Sequence, residues 1–178
     1  MATPHRLHFM CGKAGAGKST LALSLARQHD ATLLCEDVWL ARLYPEELRD
    51  FNDYLVYAKR IQKVVAPLVI DLLSRQSVVL DFPANTVQGR LWYRSLFEQA
   101  KVAHTLHHLP ASNSLCLSRI AQRNLARPEG SHQLDEATFM TITALFVRPY
   151  ESEGFHVVQH DRLQVHNAPS TDPPPRQP

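Results

Sequence analysis

Nine residues near the amino terminus carry the clearest chemistry in the sequence. They read GKAGAGKST, from Gly12 to Thr20, and match the pattern G-x-x-x-x-G-K-[ST] of a phosphate-binding loop. Glycines let such a backbone curl with its N–H groups pointing inward, where a side chain would block a phosphate. The loop therefore predicts a nucleoside triphosphate site formed by Gly12, Lys13, Ala14, Gly15, Ala16, Gly17, Lys18, Ser19 and Thr20.

Individual side chains of this loop have different expected roles. Lys18 would reach the β- and γ-phosphates, the Ser19 hydroxyl would bind Mg²⁺, and Thr20 would contact the α-phosphate. The helix predicted to follow the loop would add the positive end of its dipole to the anion site. Lys13 occupies a variable position of the pattern, so we interpret its side chain as a solvated charge.

Two acidic residues follow apolar runs that predict buried strands. Asp81 ends the run SVVLD, and Asp37 follows the run LLCED. Ligands bind at the carboxyl edge of open α/β sheets, so both carboxylates should face the phosphates. Asp81 would hold Mg²⁺ through water, or else cap a turn before Pro83. Asp37 would orient an attacking hydroxyl or accept its proton; Glu36 is the alternative base, and an N-cap role for Asp37 also stays open.

Three arginines recur at a spacing of four in the segment SLCLSRIAQRNLARPEG, namely Arg119, Arg123 and Arg127. On a helix they would share one face and project together toward an anion. Phosphoryl transfer requires positive charge at the reacting groups, which a mobile lid bearing arginines can supply. A solvated basic stripe is the alternative. The polar stretch 128–133, which contains Gly130, suits the tip of such a lid.

The elements that must position these residues follow from hydrophobic periodicity. Short apolar runs alternate with longer helical patterns, which is typical of a parallel α/β sheet. Five strands are predicted: Arg6–Cys11, Ala31–Cys35, Ser77–Asp81, Ala103–Leu109 and Phe155–Gln159. Five helical segments are predicted: Ser19–His29, Glu46–Gln76, Val87–Lys101, Ser112–Ala126 and Asp135–Val147. The second contains Pro67, so we expect it to be kinked or broken there.

The composition excludes several classes of protein. The 178 residues carry 19 Lys and Arg against 17 Asp and Glu, and a net charge of +2 does not support a nucleic-acid substrate. Three cysteines without a C-x-x-C pair indicate neither a disulfide framework nor a zinc site, and the spacing of His104, His107 and His108 argues against a metal site. Apolar stretches are short, so we expect a cytoplasmic protein without a signal peptide or membrane span.

Domain organisation is predicted to be simple. Residues 1–167 should form one domain, with the lid at about 119–134. The last eleven residues, APSTDPPPRQP, contain five of the twelve prolines. Because this stretch offers few apolar side chains to bury, residues 168–178 are predicted to be a disordered proline-rich tail.

Taken together, these motifs resemble the P-loop kinases of the nucleoside-monophosphate-kinase-like group, especially small AAA-labelled ATP-binding proteins akin to zeta toxins, gluconate kinases and chloramphenicol phosphotransferases. The resemblance covers roughly residues 5–160 and rests on GKAGAGKST, CEDVWLARLY, VVLDFPANTVQGR, RIAQRNLARPEG and FVRPYESEGFHVV. It implies a three-layer α/β P-loop NTPase fold with a five-stranded parallel sheet in the order 2-3-1-4-5 and a small helical lid. No NKxD element follows the lid, so ATP with Mg²⁺ is the expected cofactor.

The resemblance also implies roles on the nucleotide side. Asp37 maps onto the catalytic carboxylate that follows the second strand. Arg119 maps onto the lid arginine that packs on adenine, and Arg123 or Arg127 onto the one that contacts phosphates. The stretch 151–155 would line the adenine pocket through its backbone.

On the acceptor side, the resemblance places Arg42 and Arg90 in segments that bind the phosphoryl acceptor. Arg148, within VRPY, is similar to the Arg-Pro-Tyr region of shikimate-type kinases, although its arginine and proline are adjacent. The chain has no room for a second AAA-type helical domain, so we do not expect a hexameric remodelling ATPase.

These expectations combine into one predicted function and two alternatives. The prediction is an ATP- and Mg²⁺-dependent phosphotransferase that acts on a hydroxyl of a small polar molecule, as a monomer or dimer. The first alternative is a kinase of a polynucleotide end or nucleotide-sugar, for which basic residues near the acceptor segment are suggestive: Arg42, Arg49, Lys59, Arg60 and Lys63. The second is a non-catalytic, ATP-dependent binding switch that uses the proline-rich tail.

Overall fold

Five parallel strands form the centre of the molecule. A computed structural model describes residues 5–128 and 133–161, so the predicted tail and residues 129–132 of the predicted lid lie outside it. The strands are β1 (Arg6–Cys11), β2 (Thr32–Cys35), β3 (Val78–Pro83), β4 (Ala103–His108) and β5 (Val157–Gln159). Their order, β2-β3-β1-β4-β5, confirms the sheet that the resemblance implied.

Six α-helices connect the strands within the described residues. They are α1 (Lys18–Gln28), α2 (Glu36–Leu43), α3 (Phe51–Leu73), α4 (Val87–Ala100), α5 (Asn113–Ala126) and α6 (Glu136–Ala144), and a 3₁₀ turn spans Glu151–Glu153. Four of them begin with an N-cap residue whose side chain accepts hydrogen bonds from backbone N–H groups of the first turn: Asp50, Thr86, Ser112 and Asp135. Among these residues, no helix has both the length and the apolar character to span a membrane.

The predicted break at Pro67 is wrong. Helix α3 runs through Pro67 without interruption for 23 residues. Its inner side packs on the sheet through Ala58, Ile61, Val65, Val69 and Leu73, whereas Pro67 lies on the exposed side. This apolar packing keeps the helix continuous although the proline removes one backbone hydrogen bond. Helix α2, which the hydrophobic pattern did not predict, begins directly after β2.

The two faces of the sheet bury different side chains. Alternate residues of β1 point to opposite sides, so Leu7 and Phe9 pack with α3 and α4, while Met10 packs with α1, α5 and α6. Phe9 stacks on Tyr93 of α4 with ring centroids 4.6 Å apart. On the other face, Phe139 of α6 is fully buried. These contacts build the two helical layers that cover the faces of the sheet.

A row of histidines lies between β1, β4 and the end of β5. His8 Nδ1 is 3.0 Å from His107 Nε2, and His107 Nδ1 is 2.9 Å from His160 Nε2. The His8 ring also stacks on His29, with centroids 4.8 Å apart. Burial lowers the pKa of His8 to about 4 and that of His107 to about 3, so both rings are neutral at pH 7.

Candidate functional site

The phosphate loop joins β1 to α1 at the carboxyl edge of the sheet. Gly15 and Gly17 have φ angles of +75° and +102°, which L side chains rarely adopt. A Cβ on Gly15 would also lie 2.6 Å from the carbonyl oxygen of Cys116 in α5. Glycine at position 15 therefore allows both the left-handed backbone of the loop and the close packing of the loop against α5.

Lys18 closes the loop with its own side chain. Its Nζ donates to the carbonyl oxygens of Gly12 and Lys13, at 2.8 and 2.9 Å. Burial lowers the pKa of Lys18, and the charges of Asp81 and Asp37 oppose that change. The ammonium group thus lies at the loop with neutral main-chain acceptors, within the electrostatic reach of both predicted carboxylates.

Three side chains from other elements hold the loop in place. The Gly12 amide donates to Asn85 Oδ1 at 2.9 Å, and Arg119 Nη1 donates to the carbonyl oxygen of Ala16 at 3.1 Å. Lys13 Nζ donates to Asn113 Oδ1 at 2.7 Å. Interpreting Lys13 as a solvated charge was therefore wrong, because its ammonium group ties the loop to the start of α5.

Asn85 is a site residue that the sequence analysis missed. Its side-chain Oδ1 accepts from the Gly12 amide, and its main-chain carbonyl oxygen accepts from the Val147 amide at 2.8 Å. It thereby links the loop, the end of β3 and the segment before β5. A polar residue four positions after Asp81, beyond the carboxyl end of a buried strand, was the available signal.

Asp81 and Asp37 lie at the same edge of the sheet. Cys35 and Asp81 are partners in the β2–β3 register, and Cys35 Sγ donates to Asp81 Oδ2 at 3.5 Å. Cys35 is the N-cap residue of α2, and Asp37 lies inside its first turn, so Asp37 is not the N-cap. The positive end of the α2 dipole stabilises a carboxylate at this position. Asp37 is half-buried.

Glu36 lies next to Asp37 but in a different environment. Its side chain is 1% exposed, and its Oε2 accepts a hydrogen bond of 2.6 Å from the Tyr54 hydroxyl of α3. Burial, with smaller contributions from Asp37 and Asp81, raises the pKa of Glu36 to about 7. The two adjacent acids thus differ in exposure and in affinity for protons.

The predicted lid arginines do not occupy equivalent positions. Arg119 contacts the loop, and Arg123 is half-buried on the next turn of α5. Helix α5 ends at Ala126, and Arg127 follows it in the left-handed conformation with φ of +45°. Arg127 therefore caps the helix and is exposed, rather than extending the helical face of the other two.

Arg90 corrects the acceptor-side expectation. Its side chain is fully buried, and its Nε and Nη2 donate to both carboxylate oxygens of Glu153 at 2.7 and 2.8 Å. Its Nη1 donates to the carbonyl oxygens of Ala84 and Val147, at 3.0 and 2.9 Å. An acceptor-binding role does not follow from this geometry, because the protein itself surrounds the guanidinium group.

Arg42 and Arg148 remain accessible. Arg42 is exposed in the last turn of α2. Arg148 is exposed beside a cleft of about 350 Å³, with its guanidinium carbon 5.9 Å from the Tyr150 ring centroid. Other residues lining this cleft are His108, Glu151, Phe155 and Gln159. The stretch 151–155 thus contributes Glu151 and Phe155 to a cleft at the β5 edge.

The donor set at this edge fits magnesium better than a transition metal. Ser19 is exposed in the first turn of α1, and Asp81 is partly exposed at the end of β3, so both can offer oxygen ligands. Across residues 5–128 and 133–161, no group of three His, Cys, Asp or Glu side chains could hold a metal ion. Magnesium in phosphate-loop proteins is held by few protein oxygens together with phosphates and water.

Comparison with known proteins agrees with this geometry. The model of the AAA_33 family, an AAA domain, matches residues 7–149. No curated protein matches the chain.

Among solved structures, the chain resembles the APS kinase CysC of Mycobacterium tuberculosis in complex with AMPPNP and APS, with 16% identity, 90% and 91% of the two chains covered, and a TM-score of 0.60. It also resembles Chaetomium thermophilum Kti12 in complex with ADP-AlF3, with 16% sequence identity and a TM-score of 0.59. That match covers 87% of this chain and 89% of Kti12. A gluconokinase from Sinorhizobium meliloti is similar as well, with 17% sequence identity and a TM-score of 0.57. That match covers 89% of this chain and 84% of the gluconokinase. By its matched family model and by its loop, sheet order and helices, the chain belongs to the AAA_33 family of P-loop domains.

Proposed function

We propose that this protein transfers the γ-phosphate of ATP to a hydroxyl group of a small polar molecule. The observation that carries the proposal is the juxtaposition of a phosphate loop with two carboxylates, Asp37 and Asp81, whose charges act on Lys18. Loop amides and an ammonium group bind phosphates, and carboxylates across the edge can hold a metal or an attacking hydroxyl. The fold shared with an APS kinase and a gluconokinase supports the same reaction class.

In this proposal, each residue has one task. The loop amides and Lys18 bind the β- and γ-phosphates, which requires Lys18 to exchange its bonds to the Gly12 and Lys13 carbonyls for phosphate oxygens. Ser19 and Asp81 would hold Mg²⁺, which would neutralise part of the phosphate charge. Arg119 and Arg123 of α5 would bring further positive charge to the nucleotide, and exposed Arg127 would reach it from the end of the helix.

Asp37 serves the acceptor. It is half-buried in the first turn of α2, so it can accept the proton of a hydroxyl while the helix dipole stabilises its charge. Because phosphoryl transfer depends mostly on positioning and charge neutralisation, one orienting carboxylate is sufficient. Arg42 and Arg148, both exposed, are the acceptor-binding candidates that the geometry leaves accessible.

The test is phosphoryl transfer from MgATP to a panel of hydroxyl compounds, comparing the wild type with Asp37→Asn. We expect Asp37→Asn to bind MgATP normally but to transfer phosphate about 100-fold or more slowly, since it keeps the shape of the side chain and loses its basicity. Asp30→Asn changes an exposed aspartate outside the site and is the matched control. Normal transfer by Asp37→Asn would contradict the assigned role.

A nucleic-acid acceptor is the second candidate, because the basic residues near the acceptor segment are all exposed: Arg42, Arg49, Lys59, Arg60 and Lys63. The panel should therefore include an oligonucleotide with a free 5′ hydroxyl. Transfer to it, with affinity that falls steeply as salt rises, would favour this candidate over a small polar acceptor.

A further inference from the structure

We propose that Glu36 is a positioning residue that works as a neutral carboxylic acid, tying the first turn of α2 to α3 so that Asp37 is aimed at the acceptor. The inference rests on the proposed function, in which Asp37 orients the attacking hydroxyl. It assigns the adjacent acid a different role from the one considered in the sequence analysis, where Glu36 was the alternative base.

The geometry of Glu36 suits an anchor. It is the first residue of α2, its side chain is 1% exposed, and its Oε2 accepts from the Tyr54 hydroxyl at 2.6 Å. This short bond joins α2 to α3 one residue before Asp37. The backbone of Asp37 is therefore held from its amino-terminal side by a contact that reaches 18 residues along the chain.

The second carboxylate oxygen indicates the protonation state. Within the described residues, Glu36 Oε1 is buried and has no hydrogen-bond partner. A bare anionic oxygen in that position is strongly disfavoured, whereas a proton on it removes the charge. The hydroxyl of Tyr93, on α4, is likewise buried without a hydrogen-bond partner among those residues.

The groups around Glu36 have opposing effects on its pKa, and burial is the largest of them. Asp37 on its own helix and Asp81 on β3 both raise the pKa of Glu36, while the polar side chains of Tyr54 and Gln62 on α3 lower it. The charge of Glu36 in turn raises the pKa of Tyr93 on α4. Ionising Glu36 would place a third negative charge beside the two carboxylates that the reaction uses.

Glu36 and Asp37 have different roles because their side chains differ in exposure to water. Asp37 is half-buried and can be solvated as an anion, whereas Glu36 is sealed from water. Burial therefore favours the protonated form of Glu36, whereas water can solvate the carboxylate of Asp37. No atom of Glu36 needs to touch the acceptor for this to work, which is why it is a positioning residue and not a base.

The experiment compares Glu36→Gln, Glu36→Ala and Tyr54→Phe with the wild type, using phosphoryl transfer from MgATP between pH 6 and pH 9. Glutamine copies the shape of the neutral acid, so we expect Glu36→Gln to transfer within about 3-fold of the wild type at pH 6 and to lack the wild-type fall in rate above about pH 7. Glu36→Ala, which loses the anchor, should transfer at least about 10-fold more slowly with MgATP affinity unchanged.

Tyr54→Phe removes the hydrogen bond that anchors α2 to α3 and that lowers the pKa of Glu36, so transfer should slow as in Glu36→Ala and the fall in rate should move to higher pH. Glu46→Gln, at an exposed glutamate, is the matched control and should leave the profile unchanged. A loss of transfer in Glu36→Gln as large as in Glu36→Ala, while its thermal unfolding stays cooperative, would overturn the proposal and identify Glu36 as the base.

A second measurement does not depend on transfer. Difference infrared spectra between the wild type and Glu36→Gln should contain the carbonyl band of a protonated carboxylic acid at pH 6, and that band should fade by pH 9. Its absence at pH 6 would overturn the proposal even if the protein proves to be a kinase. Its presence in a protein that transfers phosphate to no acceptor would instead refute the proposed function and leave the neutral Glu36 established.

Discussion

Two cations near the carboxyl edge of the sheet, Lys18 and Arg90, have different partners. Lys18, in the phosphate loop, donates to two neutral main-chain carbonyls, and burial lowers its pKa. Arg90, on α4, is fully buried and pairs with both oxygens of Glu153 as well as with main-chain carbonyls. The first cation is incompletely compensated; the second is fully compensated.

The difference separates a functional charge from a structural one. A buried ammonium group without an anionic partner retains a strong preference for an incoming anion, which is what a phosphate site requires. A guanidinium group that already holds a carboxylate has no such preference and instead fixes the chain segments that bring its partners together. The loop pattern placed Lys18 in the site and the family resemblance placed Arg90 there, and only their partners tell them apart.

The largest expected effect is on stability, at Arg90. Arg90→Met leaves Glu153 without its buried partner, so we expect the free energy of unfolding to fall by about 4 kcal/mol, measured by urea denaturation. The double variant Arg90→Met with Glu153→Gln should recover part of this loss, because it removes the uncompensated charge. An unchanged stability combined with weaker acceptor binding would reverse the interpretation and restore Arg90 to the binding site.

The next effect is on nucleotide affinity, at Lys18. Lys18→Met should bind MgATP about 100-fold more weakly, measured with a fluorescent ATP analogue, because the phosphates lose a charge-assisted hydrogen bond. Its stability should stay equal to the wild type or rise, since a buried and poorly compensated cation has been removed. Lys101→Met, at an exposed lysine, is the control. A large loss of stability in Lys18→Met would contradict the contrast with Arg90.

The smallest effect extends the comparison to the neutral histidine row. The pKa of His107 is about 3 in the folded protein against 6.5 in the unfolded chain, so the unfolded chain gains protons first as pH falls. Stability is therefore lost as pH drops below about 6.5. His107→Gln should lose about 2 kcal/mol less than the wild type between pH 7.5 and pH 4.5, by urea denaturation at each pH. His156→Gln, at an exposed histidine, should resemble the wild type.

How far the sequence predicts this molecule depends on whether a feature is local. The strands, the phosphate loop and its lysine follow from contiguous residues, and all lie where they were expected. The Arg90–Glu153 pair joins residues 63 positions apart, and hydrophobic periodicity does not predict a contact between them. The continuity of α3 through Pro67 depends on packing against the sheet, which a local rule about proline does not include.

The same reasoning explains the miss at Asn85 and the error at Lys13. Each looks like an ordinary polar residue of a loop, and each acquires its role from a partner on another element, the Gly12 amide for one and Asn113 for the other. The distinction between Glu36 and Asp37 is of this kind too. Two neighbouring acids become different only when a helix covers one of them.

The absence of a side chain at Gly15 should make two distant stretches of sequence, the phosphate loop and α5, evolve together. Since the backbone of α5 occupies the space where a Cβ would project, the third variable position of the loop cannot accept even alanine unless α5 shifts outward. Relatives that carry a larger residue there should therefore show compensating changes around Cys116. That covariation would identify, from sequences alone, the members of the family in which α5 packs directly on the phosphate loop.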